Sequence, residues 1–497
     1  MNNPAGDNNS RTASNIDKRR LFFIFLGLFL FFLVYFLPQF PAATDPTGEV
    51  IRLSSNGQAA IGLFLLAATW WVFEVIPIGV TGIMIAVVQS IFAIRNNPDI
   101  PNVEFLNFMD PSVWFILGSI VFGLVFTKTG LAKRMAYKML ILVGEKTSMI
   151  YLGSFVMTAL LTLIMAHTAV AATLYPLFMA IYALYSDSDT PTKFGKGLFI
   201  GMAFTAGAGS IVTLLGAARG AVAIGFFKDI VGREITFFEL TKYMFPVGVV
   251  MVFVLWIYMM LVFKPERKTI PGLRERAKSL YSRLGKITNN ELLALVIVFI
   301  SIAILSLKSF VPALGFLNKS AVILTTTILF FLFNILTIKD LEDIPWNIIL
   351  LFGGAMSIGF CLYETGAAEW MAIHWLSLFQ EAHWFVFAMG ITFFIMMLTN
   401  LIMNVAAISI SLPVALIIAP YLGVAPEIIL FLALAAAGMP FLFLVGAAPN
   451  AIAYNSRQFT SGEFFVSGIP ASIILMVVLA VFTWLIWPMM GMPILLN

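Results

Sequence analysis

The feature that most constrains this chain is a series of apolar segments long enough to cross a lipid bilayer. A helix needs about 20 apolar residues to span the hydrocarbon core, within a range of roughly 17–25. Eleven segments meet that requirement as full spans, namely 22–38, 59–75, 77–94, 112–132, 196–215, 239–263, 290–307, 319–338, 346–362, 427–446 and 464–488. The sequence therefore predicts an all-α integral membrane protein that is embedded in lipid and crosses it many times.

Composition excludes several classes of protein. Of 497 residues, 61% are hydrophobic and only 11% are charged, against about 25% charged in a typical soluble domain. A soluble enzyme, a nucleic-acid binder and a disordered chain are therefore excluded. The single cysteine, Cys361, excludes a disulfide framework and a cysteine-based metal site. We predict no metal, no cofactor and no enzymatic activity.

The first apolar segment follows the basic residues Lys18, Arg19 and Arg20, as a secretory signal would. Its core is longer than the apolar region of a signal peptide, and no small-residue cleavage site follows it. We interpret it as a retained helix in the cell membrane, preceded by a cytoplasmic tail at 1–20. Positive charge supports this orientation, because cytoplasmic loops are enriched in Lys and Arg. The linker 264–286 contains eight basic and two acidic residues, so the carboxy terminus is predicted to lie outside.

Two further apolar regions, 150–184 and 384–420, do not fit as simple spans. Polar residues interrupt the first at His167-Thr168 and the second at Thr399-Asn400 and Asn404. Interrupted apolar segments at corresponding places in two halves are the best sequence indication of a transporter binding site. We predict two re-entrant helical hairpins, each entering and leaving on one face.

The two halves of the chain are also similar in sequence. Residues 115–130 (FILGSIVFGLVFTKTG) resemble 351–366 (LFGGAMSIGFCLYETG), 166–176 (AHTAVAATLYP) resemble 403–413 (MNVAAISISLP), and 214–220 (LLGAARG) resemble 444–450 (LVGAAPN). Each repeat holds five spans, and an odd number places the second copy upside down in the membrane. The first hairpin is then expected to open to the cytoplasm and the second to the outside.

Each repeat pairs a polar hairpin tip with a later helix broken at Gly-Ala-Ala. Unpaired backbone groups are tolerated in a bilayer only where they line a protein or water-filled site. The amino ends of half-helices offer N–H donors and partial positive charge to an anion, and carbonyl ends can hold a cation. Two tips and two breaks at the midplane therefore suit a small anion.

These motifs resemble the divalent anion/sodium symporter family over residues 20–490. The resemblance is carried by 73–82 (FEVIPIGVTG), by 344–372 and by 445–456 (VGAAPNAIAYNS). It implies a homodimeric carrier of di- or tricarboxylates or sulfate that works by an elevator motion, in which a transport domain slides against a scaffold. The implied division is a tail at 1–20, scaffold at 21–149, transport part at 150–235, scaffold at 236–383, transport part at 384–460 and a last span within 461–497.

The sequence departs from the family pattern at the sites themselves. The family's tips usually read Ser-Asn-Thr, whereas these read Ala166-His167-Thr168 and Met403-Asn404-Val405. Its helix breaks usually read Gly-Thr-Pro-Pro-Asn, and the two here start at Gly216 and Gly446 as Gly-Ala-Ala-Arg-Gly and Gly-Ala-Ala-Pro-Asn. The first site thus loses sodium ligands and gains Arg219, which cannot lose its proton.

From the resemblance we expect the substrate to contact His167, Thr168, Arg219, Asn404, Val405, Ala448 and Pro449. A sodium ion at the second site would use Thr399, Asn404, Gly446 and Asn450. The leading hypothesis is sodium-independent exchange of C4-type dicarboxylates, with Arg219 replacing the sodium charge. The alternative is a sodium-coupled symporter of di- or tricarboxylates or sulfate. An anion channel and an intramembrane enzyme are weaker hypotheses, and the sequence does not choose among succinate, malate, fumarate, 2-oxoglutarate and sulfate.

Overall fold

A computed structural model describes residues 18–44, 50–95, 102–186, 190–376 and 383–496. Most of the predicted tail and part of the loop after the first span lie outside these residues. A short antiparallel pair joins β1 (Ala43–Thr44) to β2 (Val50–Ile51). The rest is helical: α1 Lys18–Phe36, α2 Ser55–Val72, α3 Ile78–Ile91, α4 Val103–Leu106, α5 Pro111–Thr129, α6 Leu131–Val143, α7 Thr147–Thr162, α8 His167–Tyr185, α9 Lys193–Ser210, α10 Arg219–Val231, α11 Phe237–Val262, α12 Leu273–Arg283, α13 Asn289–Leu307, α14 Lys319–Leu332, α15 Ile338–Glu342, α16 Trp346–Glu364, α17 Ala367–Leu376, α18 Trp384–Leu401, α19 Asn404–Tyr421, α20 Pro426–Gly438, α21 Ala448–Tyr454, α22 Ser461–Val481 and α23 Trp487–Met489.

Within the described residues, eight helical stretches are long and apolar enough to cross a membrane. They are Val103–Thr129, His167–Tyr185, Phe237–Val262, Asn289–Leu307, Trp346–Glu364, Trp384–Leu401, Asn404–Tyr421 and Ser461–Met489. α8, α18 and α19 are among them, although the sequence placed them in hairpins. The predicted spans at α1, α3, α14 and α20 are shorter apolar helices. The chain is thus a helical, multi-pass membrane protein, and the count of eleven spans stays a prediction.

The order of helices repeats along the chain. The series α5, α6, hairpin α7–α8, broken helix α9–α10 and α11 recurs as α16, α17, α18–α19, α20–α21 and α22. Gly130 at φ +85° and Gly366 at φ +74° separate the first two helices of each series, where an L side chain would be strained. The connecting helices α6 and α17, which follow these turns, were not predicted.

The first hairpin enters and leaves on the face that carries the linker 264–286, here called the linker face. At the start of α7, the Thr147 N–H donates to Lys268 O at 3.0 Å. At the end of α8, the Tyr185 hydroxyl donates to Glu266 Oε2 at 2.8 Å. Both ends of the hairpin therefore lie at the linker, as a re-entrant segment requires.

The second hairpin opens toward the carboxy-terminal segment. At its start, the Trp384 ring stacks on Trp484 with centroids 5.6 Å apart. At its end, the Leu496 N–H donates to Gly423 O at 2.9 Å. Because α22 runs away from the linker face, where Glu463 pairs with Lys196, this hairpin opens on the opposite face, here called the far face.

The two broken helices run antiparallel beside each other. At the linker face, a Cβ on Gly195 would meet Gln458 beyond α21. At the far face, Arg233 Nε lies 3.3 Å from Glu427 Oε1 at the start of α20. Nearly every residue of α9 and α20 is buried, and their glycines and alanines allow the close backbone approach that such a crossing needs. The end of α20 at Gly438 therefore lies against the start of α10 at Arg219.

Candidate functional site

A cavity of about 480 Å³ lies where the two hairpin tips meet the two helix breaks. α5, α6 and α16 complete its wall. Its lining residues are Ser119, Ile120, Gly123, Leu124, Thr127, Lys133, Ala166, His167, Thr168, Ala169, Ala172, Thr173, Pro176, Ala217, Ala218, Arg219, Pro345, Ile348, Leu351, Phe352, Met403, Asn404, Val405, Ala447 and Ala448. The fold thus brings together segments that lie far apart in the sequence.

The first tip is tied to the first break through His167, the first residue of α8. Its backbone N–H donates to Gly216 O at 2.9 Å, and its ring Nδ1 lies 3.2 Å from the same oxygen. Because a carbonyl oxygen only accepts, Nδ1 must carry the hydrogen in this contact. The other ring nitrogen, Nε2, has no hydrogen-bond partner among the described residues. His167 and Thr168 both line the cavity and are half-buried.

Arg219 begins α10 and is only 2% exposed. Its Nη2 donates to Ser210 Oγ at 2.7 Å, at the end of α9. A Cβ on Gly438 would lie 2.7 Å from the same nitrogen, so the guanidinium lies against the ends of both α9 and α20. Within the described part of the chain, Nη1 has no hydrogen-bond partner and no carboxylate pairs with Arg219. A buried charge without a partner is costly, and an anionic ligand would remove that cost.

The second tip and break are held by uncharged groups. Thr399 Oγ1 donates to Ala437 O at 3.1 Å, and Asn400 Oδ1 accepts from Leu442 N at 2.7 Å. Asn450 Nδ2 donates to Pro440 O at 2.8 Å and to Phe443 O at 3.1 Å. These bonds satisfy backbone groups that the break would otherwise leave unpaired.

The residues predicted to contact substrate on the second repeat divide into two groups. Asn404, Val405 and Ala448 line the cavity. Pro449 is buried and does not line it, so its contact with substrate stays a prediction. Pro449 is the second residue of α21, where its missing N–H costs nothing, and that explains the residue without a ligand.

The residues predicted to hold a cation surround the second break. Thr399, Gly446 and Asn450 lie behind the cavity wall, and the Thr399 carbonyl oxygen would lie 3.1 Å from a Cβ on Gly446. Carbonyl and hydroxyl oxygens are ligands that hard cations accept. Among the described residues, no group of three or more His, Cys, Asp or Glu side chains is placed to hold a metal ion.

Sequence reasoning missed three residues that shape this site. Ser210 orients Arg219, Gly438 leaves room for it, and Lys133 of α6 lines the cavity from the linker side. Lys133 belongs to a basic run whose pattern in the sequence indicates only the side of the membrane. No motif marks Ser210 or Gly438, because their roles depend on the crossing of α9 and α20.

The wall contributed by α5 and α16 is mostly apolar, with Ile120, Leu124 and Phe352 among its residues. Within the described lining, Lys133 and Arg219 are the residues with formal charge. Both are cations, and Asn404 with the hydroxyls of Thr127, Thr168 and Thr173 adds neutral hydrogen-bonding groups. An apolar cavity with a few convergent polar groups is typical of small-molecule sites, and this one suits an anion.

Residues 22–493 match the family described as the sodium:sulfate symporter transmembrane region. Among curated proteins, the chain is 24% identical to the sodium-dependent dicarboxylate transporter SdcS of Staphylococcus saprophyticus, over 89% of each chain. It is 26% identical to SdcS of Staphylococcus aureus, over 91% of this chain and 88% of the relative.

Two solved structures share the fold. The YdaH transporter of Alcanivorax borkumensis superposes with a TM-score of 0.54 at 14% identity, over 96% of this chain and 98% of that one. The MtrF protein of Neisseria gonorrhoeae, described within a class of antimetabolite efflux pumps, superposes with a TM-score of 0.56 at 11% identity, over 93% of both chains. At these identities the likeness concerns architecture alone.

Proposed function

We propose, from the premise that this chain belongs to the sodium:sulfate symporter transmembrane family, that it is a secondary transporter of C4-type dicarboxylates. The observation that carries the proposal is the cavity between the tips and breaks, where both charged residues of the described lining are cations. A dianion entering this apolar space loses its hydration, and Arg219, Lys133 and the backbone N–H groups of the half-helices offset that loss. The names of the staphylococcal relatives support the same substrate class.

For the coupling ion, the relatives favour the alternative over the leading hypothesis from the sequence. Both are named sodium-dependent dicarboxylate transporters. Thr399, Gly446 and Asn450 place hydroxyl, amide and carbonyl oxygens around the second break. We therefore propose a sodium-coupled symporter as the first candidate, with one sodium ion at the second break.

Sodium-independent exchange is the second candidate, and one observation favours it. The Arg219 guanidinium lies beside Ser210 at the first break, buried and without a described carboxylate partner. A charge fixed there cannot leave before the return step, whereas a sodium ion can. Moving it unaccompanied through the hydrocarbon region would cost at least ~2.5–3.5 kcal/mol on insertion scales, so an empty carrier would return slowly.

The transport motion belongs to the same proposal. Residues 150–235 and 384–460 carry both tips and both breaks, and they form the moving part of an elevator within a homodimer. The linker face is cytoplasmic because its linker is strongly basic, which puts the amino terminus inside and the carboxy terminus outside. Lys133 and Pro345 are among the residues that line the cavity, and we propose that the cavity opens toward this face.

Reconstituted vesicles test the function and separate the two candidates. Uptake of labelled succinate is measured into empty vesicles under an inward sodium gradient, and into vesicles preloaded with succinate without sodium. Sodium-driven uptake into empty vesicles supports the symporter, and uptake that requires preloading supports the exchanger. Uncoupled flux without counterflow would indicate a channel, and uptake of labelled sulfate without any uptake of labelled succinate would refute the dicarboxylate assignment.

A further inference from the structure

We infer that Lys133 is a second substrate-recognition cation, which attracts the second carboxylate of the substrate only while the cavity is open to the linker face. This inference rests on the proposed function. Lys133 is an exposed residue near the start of α6, and it lines the cavity whose buried end holds Arg219. The two cations thus come from different helices, α6 and α10, that line the same cavity.

Two neighbouring basic residues, Lys128 and Arg134, are neutralised by acids, whereas Lys133 is not. Lys128 pairs with Asp340, and Arg134 Nη2 lies 2.9 Å from Glu291 Oε2. Partial burial raises the pKa of the Asp340 carboxyl, but hydrogen bonds from Lys128 and Thr337 outweigh it, so this pKa lies below its ordinary value. In the part of the chain that the structure describes, Lys133 has no ion-pair partner.

A substrate with two negative charges needs a second cation in the cavity. A C4 dicarboxylate brings two negative charges, and Arg219 neutralises only one of them. The remaining carboxylate would face an apolar wall, where an unpaired charge is unfavourable. Lys133 supplies the missing charge from the mouth of the cavity, and its long, flexible side chain suits a group that must capture and release substrate.

The two cations belong to parts that move relative to each other in the proposed mechanism. Arg219 travels with the transport part, whereas Lys133 is carried by α6 in the scaffold. The offset that relates Gly130 to Gly366 makes Glu369 the counterpart of Lys133 in the second repeat. An inverted arrangement therefore offers an acid, not a base, at the equivalent place on the far face. Lys133 strengthens binding on the linker face alone, and it leaves the final accumulation ratio unchanged because the driving gradients fix that ratio.

Face-specific kinetics of three variants test this inference. Lys133→Gln removes the charge, Lys133→Arg keeps it, and Lys138→Gln removes an exposed charge on α6 that does not line the cavity. The half-saturating succinate concentration is measured from each face in right-side-out and inside-out vesicles. We expect Lys133→Gln to raise it about tenfold on the linker face, the size of a partly screened charge contact, and not on the far face. Lys138→Gln should match the wild type on both faces, and Lys133→Arg, which keeps the charge, should lie closer to the wild type than Lys133→Gln does on the linker face.

A second probe separates a substrate contact from a general effect of charge. Succinamate has one carboxylate and the same length as succinate, so Lys133→Gln should leave its half-saturating concentration unchanged on both faces. Equal effects of Lys133→Gln on both faces, equal effects on both probes, or no effect at all would each overturn the inference. If the wild type moves neither compound, the proposed function itself fails and the inference fails with it. A wild type that moves succinate, with a Lys133→Gln variant that behaves identically, refutes the inference alone.

Discussion

The two tip–break pairs have the same backbone plan and opposite chemistry. In the first, His167 and Arg219 bring an imidazole and a guanidinium to the break, and Ser210 orients the latter. In the second, Asn404 corresponds to His167 and Pro449 to Arg219, and the adjacent Asn450 bonds to carbonyl oxygens of its own break. The first pair therefore holds a fixed positive charge. The second pair is neutral, and its Asn450 hydrogen-bonds to backbone groups within the same break.

This difference indicates how a duplicated fold can divide its work. A duplicated backbone supplies two sets of half-helix ends, and each set is suited to an ion. A break that carries a permanent cation repels a sodium ion, so this copy favours binding of the anion. The neutral copy keeps oxygen ligands and stays open to a cation. Four predictions test this division, from the largest expected effect to the smallest.

Removing the fixed charge should have the largest effect. Arg219→Gln is expected to abolish succinate counterflow, because a buried carboxylate that loses its charged partner loses about 3–5 kcal/mol. The substrate-free protein should keep its thermal stability or gain some, because Arg219 has no acidic partner among the described residues. Counterflow and thermal unfolding measured on one preparation check both parts.

Arg219→Lys is the matched control for charge. It should restore part of the counterflow, since lysine keeps the charge but lacks the planar donor set that contacts Ser210. If the Arg219→Gln variant showed counterflow at the wild-type rate, the first break would not bind the anion. A large drop in its thermal stability would instead identify Arg219 as a structural residue.

Fixing the first hairpin to α5 should stop transport without preventing binding. The hydroxyls of Thr127 on α5 and Thr173 on α8 lie 3.1 Å apart, so a Thr127→Cys, Thr173→Cys double variant brings two thiols together. The native Cys361 is buried and serves as the background. Oxidation should block exchange, reduction should restore it, and thermal stabilisation by succinate should persist in both states.

The variants Thr127→Cys and Thr173→Cys, each with one added cysteine, control for the substitutions themselves. Both should transport with or without oxidant. Exchange that continues in the fully oxidised double variant contradicts a sliding transport part. That result would favour a channel or a small gating motion at the tips.

Truncating one polar side chain at each tip should have a moderate effect. Thr168→Ala and Asn404→Ala each remove a donor that lines the cavity, and each is expected to weaken succinate binding by roughly 1–3 kcal/mol. Calorimetric titration of the purified variants measures that loss. Ser411→Ala, which removes a buried hydroxyl of α19 that bonds to Ala407 O and does not line the cavity, is the matched control and should bind succinate as the wild type does. Unchanged binding in both polar variants would refute the assignment of the tips.

The sequence predicted the parts of this site that follow from local patterns. Polar interruptions in long apolar regions located both tips, and the repeated Gly-Ala-Ala located both breaks. His167, Thr168, Arg219, Asn404, Val405 and Ala448 do line the cavity. These residues stand out because a polar or helix-breaking residue is energetically costly in a bilayer, so its presence there indicates a functional role.

Features that depend on the crossing of distant helices could not be predicted in this way. The connecting helices α6 and α17 contain no recognisable motif, and Lys133 is indistinguishable in sequence from the basic residues around it. Ser210 and Gly438 gain their roles only because α9 and α20 pack antiparallel. The contact of Pro449 with substrate follows only from its motif position and stays a prediction, whereas its place as the second residue of α21 follows from local helix geometry.

The smallest effect is expected from loosening the second break. Asn450→Ala removes the amide that donates to the carbonyls of Pro440 and Phe443, and it leaves both oxygens without that partner in a buried place. We expect a loss of about 1–2 kcal/mol in stability, measured by thermal unfolding in detergent. Asn455→Ala nearby, at an exposed residue, should leave the stability unchanged.

Asn450→Ala also sharpens the comparison between the two repeats. If a sodium ion binds at the second break, Asn450→Ala should reduce both the stabilisation of the protein by sodium and the sodium dependence of uptake. If Arg219 alone supplies the coupling charge, both sodium responses should be absent already in the wild type, and the variant should lose stability only. Undiminished sodium-dependent uptake in Asn450→Ala would place the sodium ion elsewhere and end the division of work between a charged and a neutral repeat.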